Sequence, residues 1–188
     1  MASDPTPASA LPPKGVVGYI HQIVDYLKAA QAIAKQHGFL NLLQPGLIKE
    51  MIVADILGHD VHKTKHAADA YDPKDPSIQY EYLTCFEKGS FQLDRMFKAP
   101  PEKRLKSLSR IKRNKAIYCA VFEVENPLTV SVIYEIPTET MLAEAERILD
   151  ASSNDISHMG FTPKWAKANG KLVYSKENCP SGSTPTSR

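Results

Sequence analysis

Apolar side chains recur every three to four positions from Val16 to Gln36 (VVGYIHQIVDYLKAAQAIAKQ), and His37–Gly38 follows as a stop, so the first predicted element is an amphipathic helix. GLIKEMIVADILGHD repeats that period and predicts a second helix from Leu47 to about Leu57, again closed by Gly. From Ala67 the period drops to two. AADAYD, SIQYEYLTC and FQLDRMF then predict a strand meander with DPKDP as its first turn. PPEKRLKSLSRI opens on Pro and spaces Leu105, Leu108 and Ile111 for a short helix. AIYCAVFEVE and TVSVIYEI, rich in β-branched and aromatic residues, predict two strong strands around ENPL. PTETMLAEAERILDAS returns to helical period, and ISHMGFTPKWAKANGKLVY predicts a short strand, a turn of helix opened by TP, and a closing strand at Lys171 to Tyr174. This order predicts an α/β (α+β) domain, a mixed central sheet flanked by helices.

Composition narrows the class without changing the element order. With 188 residues, 43% hydrophobic and 23% charged, the chain suits one globular unit, expected over residues 16–174. Residues 1–15 and 175–188 are dominated by Pro, Ser, Thr, Ala and Gly and are expected to be loose tails. No apolar run nears the roughly 18–20 residues that span a bilayer, and the N-terminus lacks the basic-then-apolar order of a secretory signal, so no membrane partner and a cytoplasmic location are expected. Cys85, Cys119 and Cys179 have no CxxC spacing and read as reduced, structural thiols.

Charge alters the picture only when mapped. The net charge is +2, but KAPPEKRLKSLSRIKRNK, from Lys98 to Lys115, holds eight Lys or Arg against one Glu. Such an excess suits a polyanion, or else a solvated basic helix.

The candidate chemistry lies beside this run. In an extended strand, Glu81 and Leu83 face one side and Tyr80, Tyr82 and Thr84 the other, and Asp69 reaches Glu81 if DPKDPS closes the turn. Two such carboxylates could share one Mg²⁺, which activates water and neutralises a phosphoryl transition state, or they could simply be solvent-facing acids on an edge hairpin. His59, His62 and His66 in HDVHKTKH lack a fourth ligand at a zinc-like spacing and read as solvated loop histidines.

These residues resemble the PD-(D/E)xK type II restriction endonucleases, in which an Asp and an (Asp/Glu)-x-Lys on neighbouring strands hold Mg²⁺. The similarity is greatest to the PvuII-like members, through AIAKQHGF, ADAYD, YEYL, AIYCAVFE with SVIYEIP, and NGKLVY, in order over about residues 30 to 174. The resemblance implies a restriction-endonuclease-like fold and a homodimeric, Mg²⁺-dependent deoxyribonuclease acting on a palindromic site in double-stranded DNA. It makes Asp69 and Glu81 metal carboxylates, the Tyr82 carbonyl a third ligand, and Glu50 the helix glutamate that some members place near the metal. The departure is Leu83, which stands where the family has its lysine. Loss of one such group is typically worth about 3–4 kcal/mol of transition-state stabilisation. Lys65, Lys88 or a second metal held with Glu50 could replace it. The alternative is a DNA-binding protein of the same fold that no longer cleaves.

The remaining DNA contacts expected are of two kinds. Gln92, Asp94 and Arg95 in GSFQLDRMFK have side chains suited to base edges in the major groove. Lys98, Arg110 and Arg113 in the basic run, with Ser157, His158 and Lys164 near the C-terminus, suit the phosphate backbone or a DNA-facing loop, while Trp165 reads as packing. In the first helix Val17, Ile20, Val24, Leu27 and Ala34 lie along one side and either cover the sheet or, as the resemblance implies, build the dimer.

Overall fold

The computed structural model describes residues 18–64 and 68–178. Where the sequence drew a single unit, the chain separates into two compact units, one ending at Gln44 and one beginning at Pro45.

The first unit is α1 (Gly18–Gln36) with the loop that follows it. Gln31 holds that loop: its Oε1 accepts the Leu42 N–H at 2.8 Å and its Nε2 donates to the Leu40 carbonyl at 3.2 Å. Only Ala34 of α1 is buried. Ile20, Val24 and Leu27 stay exposed, as do Tyr19, Ile23, Tyr26 and Ile33. A groove of about 400 Å³ runs between helix and loop, lined by Val24, Leu27, Leu42 and Leu43.

The second unit begins with α2 (Leu47–Leu57), closed by Gly58 in the left-handed region at φ 71, where a residue without Cβ is favoured. Strands β1 (Asp60–Val61), β2 (Ala70–Asp72) and β3 (Asp75–Phe86) follow, then β4 (Phe91–Phe97), α3 (Pro101–Lys112), β5 (Ala116–Phe122), β6 (Val130–Pro137), α4 (Thr138–Ala151), β7 (Ile156–Phe161), α5 (Pro163–Asn169) and β8 (Lys171–Ser175). Structure runs past the expected end of the domain: Ser175 pairs with Val132, and Lys176 in a final single 3-10 turn binds Glu123 at 2.6 Å.

Six strands form one sheet in the order β1-β2-β3-β5-β6-β8. Only β3 and β5 are parallel, with Glu81 opposite Ile117, and the connection between them carries β4 and α3. This is the mixed sheet flanked by helices that the sequence predicted. Its centre is β5, whose seven residues are all buried because apolar side chains alternate to both faces. Ile117, Cys119 and Val121 join Leu83 and Cys85 in one core with α3, α4 and α5. Tyr118, Ala120 and Phe122 join Tyr80 and Tyr82 on the other face, against Val53 and Ala54 of α2.

The expected meander is corrected at β4. FQLDRMF does not continue beside β3 but pairs antiparallel with β7 in a separate two-stranded ribbon. β5 takes one edge of β3 from Tyr80 to Phe86, and the half-polar pattern of β4 suits a ribbon with one wet face. Leu105, expected with Leu108 and Ile111 on the apolar side of α3, is exposed; the buried row is Ser107, Leu108 and Ile111. Cys85 and Cys119 are buried free thiols, and burial pushes both pKa values up, that of Cys85 to about 11.

Candidate functional site

Register brings the two predicted acids together. Ala70 pairs with Tyr80, so the residue before it falls level with Glu81. There the ladder ends, and the Asp69 carboxylate continues it: its Oδ2 accepts the Tyr82 N–H at 2.8 Å. The N–H and C=O of one strand residue point to the same edge, so the Tyr82 carbonyl faces the edge that carries Asp69. Glu81 and Leu83 share the α3 face, as the alternation predicted, while Tyr80 and Tyr82 face α2.

Positive charge reaches the acids from α3. Nη2 of Arg113, the C-cap residue of that helix, lies 3.6 Å from Glu81 Oε2. Among the described residues that oxygen is buried without a hydrogen-bond partner, and the same holds for Asn114 Oδ1. Both residues line a void of about 10 Å³ together with Arg110 and Met96. Burial, then the Asp69 charge, push the Glu81 carboxyl up to about 8, with Arg113 and Arg110 opposing. Burial also raises Asp69, against the Tyr82 N–H and the same two arginines.

Two carboxylates, one with an unsatisfied buried oxygen, and a strand-edge carbonyl form a hard-oxygen donor set of the kind Mg²⁺ takes. Among the described residues no three or more His, Cys, Asp or Glu side chains converge as a metal site. Glu50 therefore does not complete a three-acid group with Asp69 and Glu81. It sits in the first turn of α2, with Oε1 only 2.8 Å from where a Cβ on Gly46 would stand. Of the lysines considered as replacements, Lys88 follows the far end of β3 and Lys65 lies outside the described residues. Leu83, 6% exposed, is core.

The ribbon displays several of the other predicted residues together. Phe91, Leu93, Met96, Met159 and Phe161 bury one face. Gln92, Asp94, Arg95 and His158 occupy the exposed face. Between the pairs Leu93↔Met159 and Met96↔Ser157, β4 has two residues where β7 has one, a bulge that puts Arg95 at φ 53. Opposite it, His158 Nδ1 lies 2.9 Å from Asp94 Oδ1, and Arg110 Nη1 donates to the Asp94 carbonyl at 3.0 Å. The Ser157 side chain lies outside what is described, and Lys164 is exposed on α5. Lys98 is engaged structurally: its Nζ donates to the Ser152 carbonyl at 2.6 Å and to the Asp150 carbonyl at 3.3 Å, at the end of α4. Trp165 packs on Phe161 with ring centroids 5.1 Å apart, as expected.

The histidines correct the expectation of a solvated loop. His59 stacks on Tyr80 at 4.1 Å and its Nδ1 is 2.8 Å from the Tyr82 hydroxyl, while His62 tilts against Tyr71. Burial lowers the pKa of both. His66 lies outside the described residues.

No family model matches the chain, and no curated protein does. No helix among the described residues is long and apolar enough to cross a membrane.

A pH dependence of stability follows from Glu81. Between its ordinary 4.5 and about 8 the folded state holds a proton that the unfolded chain has released, so stability falls as pH rises through that window. His59 and His62, lowered from 6.5, act the other way only below that pH. Without divalent cations, the Tm of the wild type is expected to fall between pH 6.5 and 8 relative to Glu81→Gln, by at least about 3 °C. Parallel melting curves for the two proteins would remove the buried-acid account.

Proposed function

We propose that the protein is a Mg²⁺-dependent, homodimeric type II restriction endonuclease of the PD-(D/E)xK, PvuII-like kind, cytoplasmic and acting on a palindromic site in duplex DNA. The observation that carries this reading is the placement of Asp69 and Glu81 side by side at the open edge of β3, with two arginines of a basic helix beside them. A buried acid pair is costly unless a cation offsets it.

Asp69, Glu81 and the Tyr82 carbonyl would hold the ion, which when bound supplies water activation and charge neutralisation at the scissile phosphate. The Tyr82 N–H fixes the Asp69 carboxylate through its 2.8 Å hydrogen bond. Arg113 and Arg110 balance the negative charge of the acids. A two-stranded ribbon fits the major groove, and the exposed face of β4 and β7 carries side chains that match base edges: Arg to guanine, Gln to adenine, Asp to cytosine. Its bulge is joined to α3 through the Arg110 bond to Asp94, which links base reading to the acid pair. Lys164 and the exposed lysines of α3 suit phosphate contacts.

Incubation of the purified protein with duplex DNA of varied sequence and Mg²⁺ is expected to give discrete fragments, and EDTA to prevent them. Absence of fragments at every sequence would overturn the reading. The burial of Leu83 favours a second one, a DNA-binding protein of this kind that does not cleave. It requires salt-dependent duplex binding with no turnover in Mg²⁺.

Dimerisation is supported by the exposed apolar residues of α1. Light scattering is expected to give the mass of two chains for the wild type and of one chain for the Ile20→Glu, Leu27→Glu double variant. A monomeric wild type would dispose of the dimer.

A further inference from the structure

We propose that Arg113 supplies the positive charge at the acid pair that the lysine position, occupied here by Leu83, does not. The inference rests on the nuclease reading above and assigns one residue of its chemistry.

Leu83 is packed among Ile117, Leu93 and the other residues of the apolar cluster on the α3 face, so the strand itself offers no cation there. Among the described residues, the cation paired with Glu81 comes from the chain that enters β5. Because β5 runs parallel to β3, the end of α3 arrives beside the start of the paired stretch, and Lys115 N–H donates to the Gln79 carbonyl at 2.7 Å, two residues before Glu81. Asn114 fixes the backbone next to Arg113 from two directions. Its Nδ2 donates to the Arg110 carbonyl at 2.8 Å, and its own carbonyl accepts the Thr138 hydroxyl at 2.7 Å. Arg113 is thus mounted on a fixed segment, with Nη2 3.6 Å from Glu81 Oε2.

Of the two arginines, Arg113 makes the ion pair with Glu81, and Arg110 donates through Nη1 to the Asp94 carbonyl. The Arg113 side chain is 32% exposed against 15% for Glu81, so the guanidinium spans from the buried acid to solvent, where a phosphate would approach. A guanidinium stays charged at all working pH values and has five donors in a planar fork. Held at Glu81, its charge stands fixed where negative charge develops.

The test measures single-turnover cleavage in Mg²⁺, duplex binding in Ca²⁺ and thermal melting for wild type, Arg113→Met and Arg113→Lys. Arg113→Met is expected to lower the cleavage rate by about 10²–10³-fold with duplex binding little changed and a cooperative melting transition retained at a lower Tm, since the acids lose a balancing charge. Arg113→Lys, which keeps the charge, is expected to recover at least about tenfold of that loss. Near-wild-type cleavage by Arg113→Met overturns the inference and leaves the nuclease reading standing. So does a loss matched by lost DNA binding, which marks a phosphate grip alone, or an Arg113→Lys variant that folds but is no better than Arg113→Met. A wild type that binds duplex and never cleaves overturns the nuclease reading and this inference with it.

Discussion

Glu81→Ala is expected to abolish Mg²⁺-dependent cleavage, by at least about 10³-fold in single-turnover rate, while leaving the protein folded and able to bind duplex DNA in Ca²⁺. The size of the effect follows from the small donor set. On the proposed donor set of two carboxylates and the Tyr82 carbonyl, removing Glu81 would leave Asp69 as the one carboxylate ligand, and its Oδ2 is already bonded to the Tyr82 N–H. Folding survives for an electrostatic reason. Burial raises the Glu81 pKa, so the ionised carboxylate opposes folding at high pH, and its removal leaves behind Arg113, which is partly in solvent. The melting temperature of Glu81→Ala at pH 8 therefore serves as the control: a cooperative transition with lost cleavage supports the assignment. Cleavage at the wild-type rate would place the chemistry elsewhere in the molecule.

Phe161→Ala is expected to be the most damaging single truncation near the site, at about 3–5 kcal/mol. Phe161 is 2% exposed, pairs across the ribbon with the fully buried Phe91 and packs on Trp165. It anchors β7, and with it the bulge that presents Arg95 and His158, to the core beneath. A loss of that size is a large share of a typical stability of about 5–15 kcal/mol and corresponds to a fall in Tm of roughly 6–20 °C. Denaturant titration and thermal melting measure it directly. A change below about 1 kcal/mol would mean that the ribbon is not held through this side chain.

The inner face of the ribbon and its outer face have different origins in the sequence. FQLDRMF and ISHMGF each read as strands from local alternation, and both are strands. That they pair with each other, and not with their neighbours in sequence, is a long-range contact, Phe91 with Phe161, that local alternation does not specify. Long-range pairing also explains the arginines. Arg110 and Arg113 were legible as part of a basic helix, but their approach to Glu81 exists only because β5 returns parallel to β3 and carries the end of α3 with it. Glu50 shows the opposite case. Helical period placed it correctly in α2, while the position of its Oε1, close to Gly46, could not be read from spacing.

The sequence by itself determined the helices, most of the strands, the alternation that puts Glu81 and Leu83 on one face, and the turn that lets Asp69 reach Glu81, because each depends on interactions within about a dozen residues. Tertiary structure alone decided which cation stands beside the acids, that Leu83 is core, that His59 is stacked among tyrosines, and that the chain parts into two units after Gln44. Periodicity specifies which face of an element is apolar; only packing specifies what that face meets.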